Sequence, residues 1–358
     1  MFINLRRSLL ILIILSISSI IILFLLSRRT KNIDQPQQSS ELIERLCKPN
    51  NDKCFEVYDR LILNKEGEHV ERILNVVHDS GMKYIESCVG ILPNRTNATF
   101  ADSDTRLWTI DGNNVSNDIK GMNIMTYLMD IFKLKTKEDD KNIALIGLRG
   151  GTFISHLRKR IQDLKITVVE PEEEMIHIAK KWFELSEATI ENEKGINWIK
   201  KTNDSKFDVI YLNACERRSY QHCPIPSLTT KNSVKLLYSR LNRKSRALLV
   251  INFEIFSADR IEILNDQITT LLEFFPHCLS IDFISQPNII VACSNKHLPH
   301  FDKENPRASL ESMMSHITDR YHEINTVLNY GNIVKELTIH ALIDKKRNTV
   351  VHIVENNS

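Results

Sequence analysis

From residue 142 onward, short apolar segments alternate with amphipathic ones, and this alternation is the clearest pattern in the chain. The apolar segments predict strands at 143–146, 166–169, 188–190, 209–212 and 247–251, followed by a hairpin over 279–293. After the second strand, apolar residues recur at helical spacing up to Trp182, which predicts a helix with Trp182 in the core. Strands that alternate with helices are typical of a helix-covered parallel sheet, so we predict an α/β domain over 136–298.

The N-terminal segment has a different pattern, because residues 8–27 contain no charged side chain. A helix of that length, at about 1.5 Å per residue, matches the ~30 Å hydrocarbon core of a bilayer. We therefore predict a cytosolic tip and a single transmembrane helix over 1–27, and a polar stem over 28–53. A cleaved signal peptide is the alternative, although no small-residue cleavage site precedes the basic residues that follow.

The segment between stem and α/β domain predicts a mixed lead-in. Residues 54–78 have an amphipathic helical pattern, 83–92 and 106–110 resemble strands, and 122–132 resemble a helix. Asp111 and Gly112 predict a turn at the end of the second strand. We group 54–135 as an N-terminal helix and a short β-rich lead-in, and 299–358 as a C-terminal extension with a helix at 310–328 and a strand at 349–354.

Composition and charge limit the classes of partner that we expect for this chain. The chain has 47 basic and 45 acidic residues and a formal charge of +2, which gives no basic surface for nucleic acid. We expect a membrane and an unidentified small-molecule or protein acceptor as partners, and leave a homodimer open. Glycosylation triplets, if not chance matches, favour a single-pass protein of the secretory pathway with a luminal C-terminal domain; they begin at Asn94, Asn97, Asn114, Asn203 and Asn356.

The seven cysteines form no paired metal-binding motif. Cys47 and Cys54 either close a small disulfide loop or remain free thiols. Cys278 and Cys293 lie equidistant from the hairpin turn, so they are either a cross-strand disulfide or buried thiols. We predict no metal site, because the remaining loop spaces its candidate ligands irregularly; these are Cys215, His222 and Cys223.

A glycine-rich turn carries the main functional signal. The strand at 143–146 runs into Gly147, Gly150 and Gly151 and then into a helix, while Glu170 ends the next strand. Glycines at this place let backbone approach a bound nucleotide, and an acid at the second strand end can accept hydrogen bonds from ribose hydroxyls. We predict that these residues bind a nucleoside-containing cofactor.

Several ordered motifs resemble one known family. IALIGLRGGTF, ITVVEPEEEMIHIAKKWFEL, FDVIYLN, CPIPSLTTKNSVKLLYSRL, ALLVINF and QPNIIVACS follow one another in the family's order. Over about 107–294 the chain resembles the spermidine-synthase-like and methyltransferase-like protein 13 branch of class I S-adenosylmethionine-dependent methyltransferases. The resemblance implies a Rossmann-like methyltransferase sheet with a closing β-hairpin, and S-adenosylmethionine as cofactor.

The same comparison shows departures at the positions that carry chemistry. Arg149 replaces the middle glycine of the first motif, and Lys194 replaces the acid that contacts adenine, so that Glu193 is the remaining candidate for this contact. Asn213 stands where aminopropyltransferases have an aspartate that orients an amine, and an amide is not a base. Where the family has a polar cluster, this chain has the sequence Met-Asn-Ile-Met at 122–125.

These departures leave three functional hypotheses. The first is an S-adenosylmethionine-dependent methyltransferase of unknown acceptor, with Asn213 lining the acceptor pocket, because an activated sulfonium needs alignment more than acid–base groups. The second is a catalytically degenerate homologue with a binding or scaffold role. The third, polyamine synthesis by an aminopropyltransferase, is disfavoured by the missing acids. Arg149 is the residue that distinguishes the first two.

Overall fold

The computed structural model describes residues 39–297, except 50–52, 65–66, 135–139, 162, 202–205, 217–221, 257–259 and 284–286. Near the C-terminus it also describes 319, 323–324, 337–343 and 349–353. The predicted membrane helix at 8–27 and nearly all of the predicted helix at 310–328 lie outside the described residues.

The N-terminal part folds into a five-stranded antiparallel sheet with its strands in chain order. This first sheet comprises β1 (Ser40–Cys47), β2 (Lys53–Asn64), β3 (Gly67–His78), β4 (Lys83–Leu92) and β5 (Thr109–Val115). Its inward face, which includes Phe55, Val57 and Leu74, is part of one continuous apolar core with the second sheet and its nearer helices.

The second sheet is larger and mostly parallel at its centre. Its strands are β6 (Asn142–Ile146), β7 (Lys165–Val169), β8 (Thr189–Glu191), β9 (Val209–Leu212), β10 (His222–Cys223), β11 (Leu248–Ile255), β12 (His277–Phe283), β13 (Asn288–Ser294), β14 (Leu337–Ile343) and β15 (Thr349–Ile353). They lie in the order β15-β14-β12-β13-β11-β9-β6-β7-β8, with β10 beside β11. The predicted hairpin corresponds to the antiparallel pair β12 and β13.

Helices cover both faces of the second sheet. On the first sheet's side lie α1 (Asn117–Leu128), α2 (Thr152–Arg158) and α3 (Glu173–Trp182), and their apolar side chains enter the shared core. The opposite face is covered by α4 (Gly195–Lys200), α5 (Lys231–Arg240) and α6 (Arg260–Leu272), which enclose a second apolar cluster. The parallel strands are consequently buried on both faces, as their continuous apolar sequences require.

The predicted helix at 54–78 is wrong, because this segment forms β2 and β3. A buried ion pair between Asp59 and Arg72, which are partners in the strand register, places two charges inside the core. These charges interrupt the alternation expected of strands, while the spacing of Val70, Leu74 and Val77 imitates a helix face.

Two further boundaries of the lead-in differ from the sequence prediction. Part of the predicted stem, Ser40–Cys47, is the edge strand β1. Asp111 and Gly112 do not end a strand: they lie within β5, where Gly90 pairs with Asp111 and Val89 with Val115, so that 112–114 bulge out of the ladder. A bulge uses the same turn-forming residues as a hairpin, which is why the sequence suggested a turn.

The predicted single-pass membrane localisation is corrected. Among the described residues, no helix is long and apolar enough to cross a membrane.

Three disulfides pair six of the cysteines. Cys47–Cys54 and Cys278–Cys293 each join strand neighbours, the second across the hairpin. The third, Cys215–Cys223, was not predicted, and it joins the segment after β9 to β10. Cys88 is a free thiol.

Candidate functional site

The strand order reverses between β6 and β9, and the predicted site lies at this point. Chain connections leave β6 towards one side of the sheet and β9 towards the other, which opens a crevice at their carboxyl ends. The glycine turn after β6 and Asn213 after β9 meet there. A Cβ on Gly147 would lie 2.4 Å from the backbone of Ala214, so only glycine allows the two segments to approach this closely.

Three consecutive residues of the turn adopt left-handed backbone conformations. Arg149 has φ +44°, followed by Gly150 at +76° and Gly151 at +87°. This conformation costs a residue other than glycine about 1–2 kcal/mol. Arg149 adopts it nonetheless, and its side chain enters the crevice, so the contacts of its guanidinium must compensate for the strain.

Three carboxylates surround that guanidinium, and we refer to Glu86, Asp118 and Glu254 as the carboxylate cage. Arg149 Nε lies 3.3 Å from Glu86 Oε1, Nη1 lies 3.6 Å from Asp118 Oδ2, and Nη2 lies 3.7 Å from Glu254 Oε2. The side chain of Arg149 is only 12% exposed. Burial on its own would lower the pKa of Arg149, but the three carboxylates outweigh burial and raise it.

A chain of amide groups extends the cage. Asn213 Oδ1 accepts hydrogen bonds from Arg149 Nη1 at 3.3 Å and from Asn252 Nδ2 at 3.0 Å. The same Asn252 amide lies 3.2 Å from Asp118 Oδ2, and Asn288 Nδ2 donates to Asn252 Oδ1. Asn213 is thus a buried acceptor that helps to hold the arginine.

The cage lines a cavity of about 160 Å³ between the first sheet and the crevice. Its wall is formed by side chains from β4, α1, the glycine turn, the start of α2, the residue after β9, β11 and the start of β13. Among them are Ser87, Cys88, Phe153 and Asn288. Drug-sized ligands usually occupy pockets of about 300–1,000 Å³, so this cavity is small. Burial raises the pKa of the Cys88 thiol, which argues against a nucleophilic role.

Glu170 lies beside the glycine turn but not in the wall of the cavity. Its Oε2 accepts from the Leu148 N–H at 2.9 Å and its Oε1 from the Glu172 N–H at 3.0 Å. Burial raises the pKa of Glu170 to about 7, although both N–H groups act in the opposite direction. Both carboxylate oxygens are therefore engaged by the protein's own backbone.

The other predicted cofactor residues are also packed against protein. The Gly150 N–H points to Met175 Sδ at 3.1 Å, and a Cβ on Gly150 would lie 2.9 Å from the Cβ of Ser87. A Cβ on Gly151 would lie 3.1 Å from that of Ala179. Glu193 forms an ion pair with Lys201.

S-adenosylmethionine does not fit these residues as they are arranged. Both oxygens of Glu170, the acid expected to hold the ribose, already accept hydrogen bonds from backbone N–H groups, and Gly150 of the turn packs against Leu74 of β3 and Ser87 of β4. The Arg149 side chain also lines the cavity, and the three carboxylates of the cage hold its guanidinium there, so a cofactor would have to displace it.

Sequence reasoning did not identify the cage. Asp118, Glu86 and Glu254 come from α1, β4 and β11, which are far apart in the chain. One signal was present: an arginine in a glycine position at the mouth of a buried crevice needs acidic partners.

Together, the reversed strand order, the glycine turn and the helix-covered sheet define the class of fold. The chain has the Rossmann-like α/β fold that spermidine synthases share with class I S-adenosylmethionine-dependent methyltransferases. The crystal structure of a probable spermidine synthase from Corynebacterium glutamicum ATCC 13032 superposes with a TM-score of 0.50 at 12% identity, over 77% of this chain and 86% of that one.

The matches to individual sequences are shorter. No protein-family model matches the chain. A polyamine aminopropyltransferase of Prochlorococcus marinus strain MIT 9215 is 31% identical over 97 residues, which are 25% of this chain and 34% of that protein. The chain thus spans about a third of the length of the curated relatives it matches. Human methyltransferase-like protein 13, solved in complex with SAH, gives a TM-score of 0.46 at 17% identity, over 58% of this chain and 93% of that one.

Proposed function

We propose that this protein is a non-catalytic member of the spermidine-synthase-like fold, in which Arg149 closes the crevice and the fold serves binding or assembly. The observation that carries the proposal is the Arg149 guanidinium, which lies 3.3–3.7 Å from all three carboxylates of the cage. The chain's own cation occupies the place where a small ligand would have to enter.

The contacts of Arg149 make this closure costly to reverse. Separating a buried charge from its partner costs about 3–5 kcal/mol. A ligand that must displace the side chain loses this energy from its binding, which corresponds to an affinity weaker by about 10²-fold to 4 × 10³-fold. Asn213 and the amides behind it add hydrogen bonds that the ligand would also have to replace.

An active S-adenosylmethionine-dependent methyltransferase is the second candidate. The observation in its favour is the glycine turn with Glu170 at the point where the strand order reverses. In this alternative Gly147, Gly150, Gly151 and Glu170 hold the cofactor, and Asn213 lines the acceptor pocket. It requires Arg149 and the first sheet to move away from the turn.

Aminopropyl transfer is favoured by the partial match to polyamine aminopropyltransferases, because carboxylates attract a substrate amine. One guanidinium balances only one of the three carboxylate charges, but it occupies the space beside them, and Asn213 offers no base at the crevice. We therefore rank this activity below the other two.

Titration calorimetry of S-adenosylmethionine and SAH into the full-length protein distinguishes these functions. We expect no measurable heat of binding for the unaltered protein or for Arg149→Lys, which keeps the cation. Arg149→Gly, which suits the left-handed backbone, is expected to bind more tightly by about 10²-fold to 4 × 10³-fold.

Glu170→Ala in the Arg149→Gly background tests whether the gained binding uses the predicted ribose site. Micromolar binding by the unaltered protein, abolished by Glu170→Ala alone, would overturn the proposal in favour of the methyltransferase. No binding by a folded Arg149→Gly variant would reject Arg149 as the closing element.

A further inference from the structure

The disulfide that the sequence did not predict lies directly beside the carboxylate cage. Cys215 follows Asn213 by two residues, and Cys223 in β10 is the register partner of Glu254 in β11. Cys223 Sγ lies 3.3 Å from Glu254 Oε2. The two sulfurs and a Glu254 carboxylate oxygen all lie within 4.8 Å of one another.

In the disulfide form the contact with Cys223 contributes little to the stability of the Glu254 carboxylate. A disulfide sulfur has no proton to donate, so a carboxylate that is 7% exposed faces it without gaining a hydrogen bond from it. In the dithiol form the same three groups are a carboxylate and two thiols, which become thiolates when they bind a metal. These are ligand types that Zn²⁺ binds, at about 2.3 Å for sulfur and about 2.0–2.2 Å for oxygen.

We propose that Cys215, Cys223 and Glu254 form a zinc site when the disulfide is reduced. A thiol or phosphine reductant supplies two electrons and breaks the S–S bond, and the reductant is itself oxidised. Zn²⁺ then forms two Zn–S bonds and one Zn–O bond, and the two thiol protons pass to solvent. Three protein ligands leave a fourth tetrahedral position for water or an added ligand.

Two observations support this proposal: a reductant can reach the disulfide, and the described residues contain no second group of this kind. Cys215 is partly exposed whereas Cys223 is buried, so a reductant can attack the Cys215 sulfur. Among the described residues, this is the one group of three histidine, cysteine or acidic side chains close enough to share an ion. The other disulfides, Cys47–Cys54 and Cys278–Cys293, have no third ligand of this kind within the described part of the chain.

The metal site is coupled to Arg149 through a single atom. Glu254 Oε2 is both the oxygen beside Cys223 and the oxygen that faces Arg149 Nη2 at 3.7 Å. Zinc would withdraw one of the three carboxylates that hold the guanidinium, and so loosen the closure. This coupling rests on the proposed function, but zinc binding itself does not.

Cobalt substitution tests the site on the full-length protein. We expect the protein, reduced with a phosphine that is then removed, to bind Co²⁺ with a thiolate-to-cobalt charge-transfer band that Zn²⁺ abolishes. The oxidised protein should lack this band. Glu254→Gln should weaken Co²⁺ by at least about 10–100-fold, the loss typical of an outer-shell partner.

The control is Cys47→Ser/Cys54→Ser, which removes another disulfide and should keep the band. A reduced protein that is folded by circular dichroism and shows no band would overturn the proposal. So would an unchanged band in Cys215→Ser/Cys223→Ser, which retains the other five cysteines. Neither outcome depends on whether S-adenosylmethionine binds.

Discussion

Arg149 shows how a single residue can change the character of a site while the fold is retained. A left-handed backbone position normally selects glycine. Here the strain is compatible with folding because three carboxylates and the Asn213 amide stabilise the guanidinium. The arginine and the cage therefore depend on each other, and replacing either alone should lower the free energy of unfolding.

Removing the charge of Arg149 is expected to destabilise the protein. Arg149→Met leaves three poorly solvated carboxylates close together, so we expect the free energy of unfolding to fall by about 3–5 kcal/mol in urea denaturation. Arg106→Met is the control, because Arg106 and its partner Glu41 are about half exposed and should contribute less than about 1 kcal/mol. Equal losses for the two variants would contradict the role of the cage.

Glu170 should make stability depend on pH. Burial raises its pKa from 4.5 to about 7 in the folded protein. The folded protein therefore retains this proton more readily than the unfolded chain, and the resulting stabilisation is lost as pH rises from about 4.5 to about 7. Glu170→Gln stays uncharged, so its stability relative to the unaltered protein should increase between about pH 5 and about pH 8. A pH-independent difference in urea denaturation would contradict this.

At the scale of elements, strands with a continuous apolar sequence are predicted well, and strands whose apolar pattern is interrupted by charges are predicted poorly. The predicted central strands correspond closely to β6, β7, β9 and β11, because apolar segments of parallel sheets are continuous. The segment with β2 and β3 was misread because Asp59 and Arg72 carry charge into the core. These two charges are buried because they are register partners of each other. The sequence does not show this pairing, since the register depends on the position of the turn between β2 and β3.

The buried Asp59–Arg72 pair between β2 and β3 should contribute more to the free energy of unfolding than the partly exposed Arg60–Glu71 pair beside it. Arg72 donates to both oxygens of Asp59 at 2.8 Å and to the carbonyl of Thr105 at 2.7 Å. Asp59→Asn is expected to lower the free energy of unfolding by about 3–5 kcal/mol, since it leaves the buried guanidinium uncompensated. Glu71→Gln, in the adjacent Arg60–Glu71 pair whose side chains are 29% and 20% exposed, should cost less, because water still reaches both groups. Similar costs in both variants would rule out a special role for burial.

At the scale of the whole molecule, the site is made by the contact between two sheets. Glycine turn, Glu170 and Asn213 could be placed together from the sequence, because the ends of neighbouring parallel strands meet at one edge. The cage could not, since Glu86 belongs to the first sheet and Glu254 to the second. Closure by Arg149 is consequently a property of the assembled molecule: it requires the first sheet to pack on the turn.

Gly150 allows this packing to be tested with a closely matched control. Gly150 and Gly81 have similar backbone angles, φ +76° and +80°, so alanine causes similar backbone strain at either position. A Cβ on Gly81 meets nothing within 4 Å, whereas one on Gly150 would lie 2.9 Å from Ser87 Cβ and 3.1 Å from Leu74 Cδ2. Gly150→Ala should therefore lower the free energy of unfolding by about 1–3 kcal/mol more than Gly81→Ala, the usual cost of overpacking. If urea denaturation gave equal values, the first sheet would not be packed on the turn as described, and Arg149 could not be held by Glu86 in the way that its closure of the crevice requires.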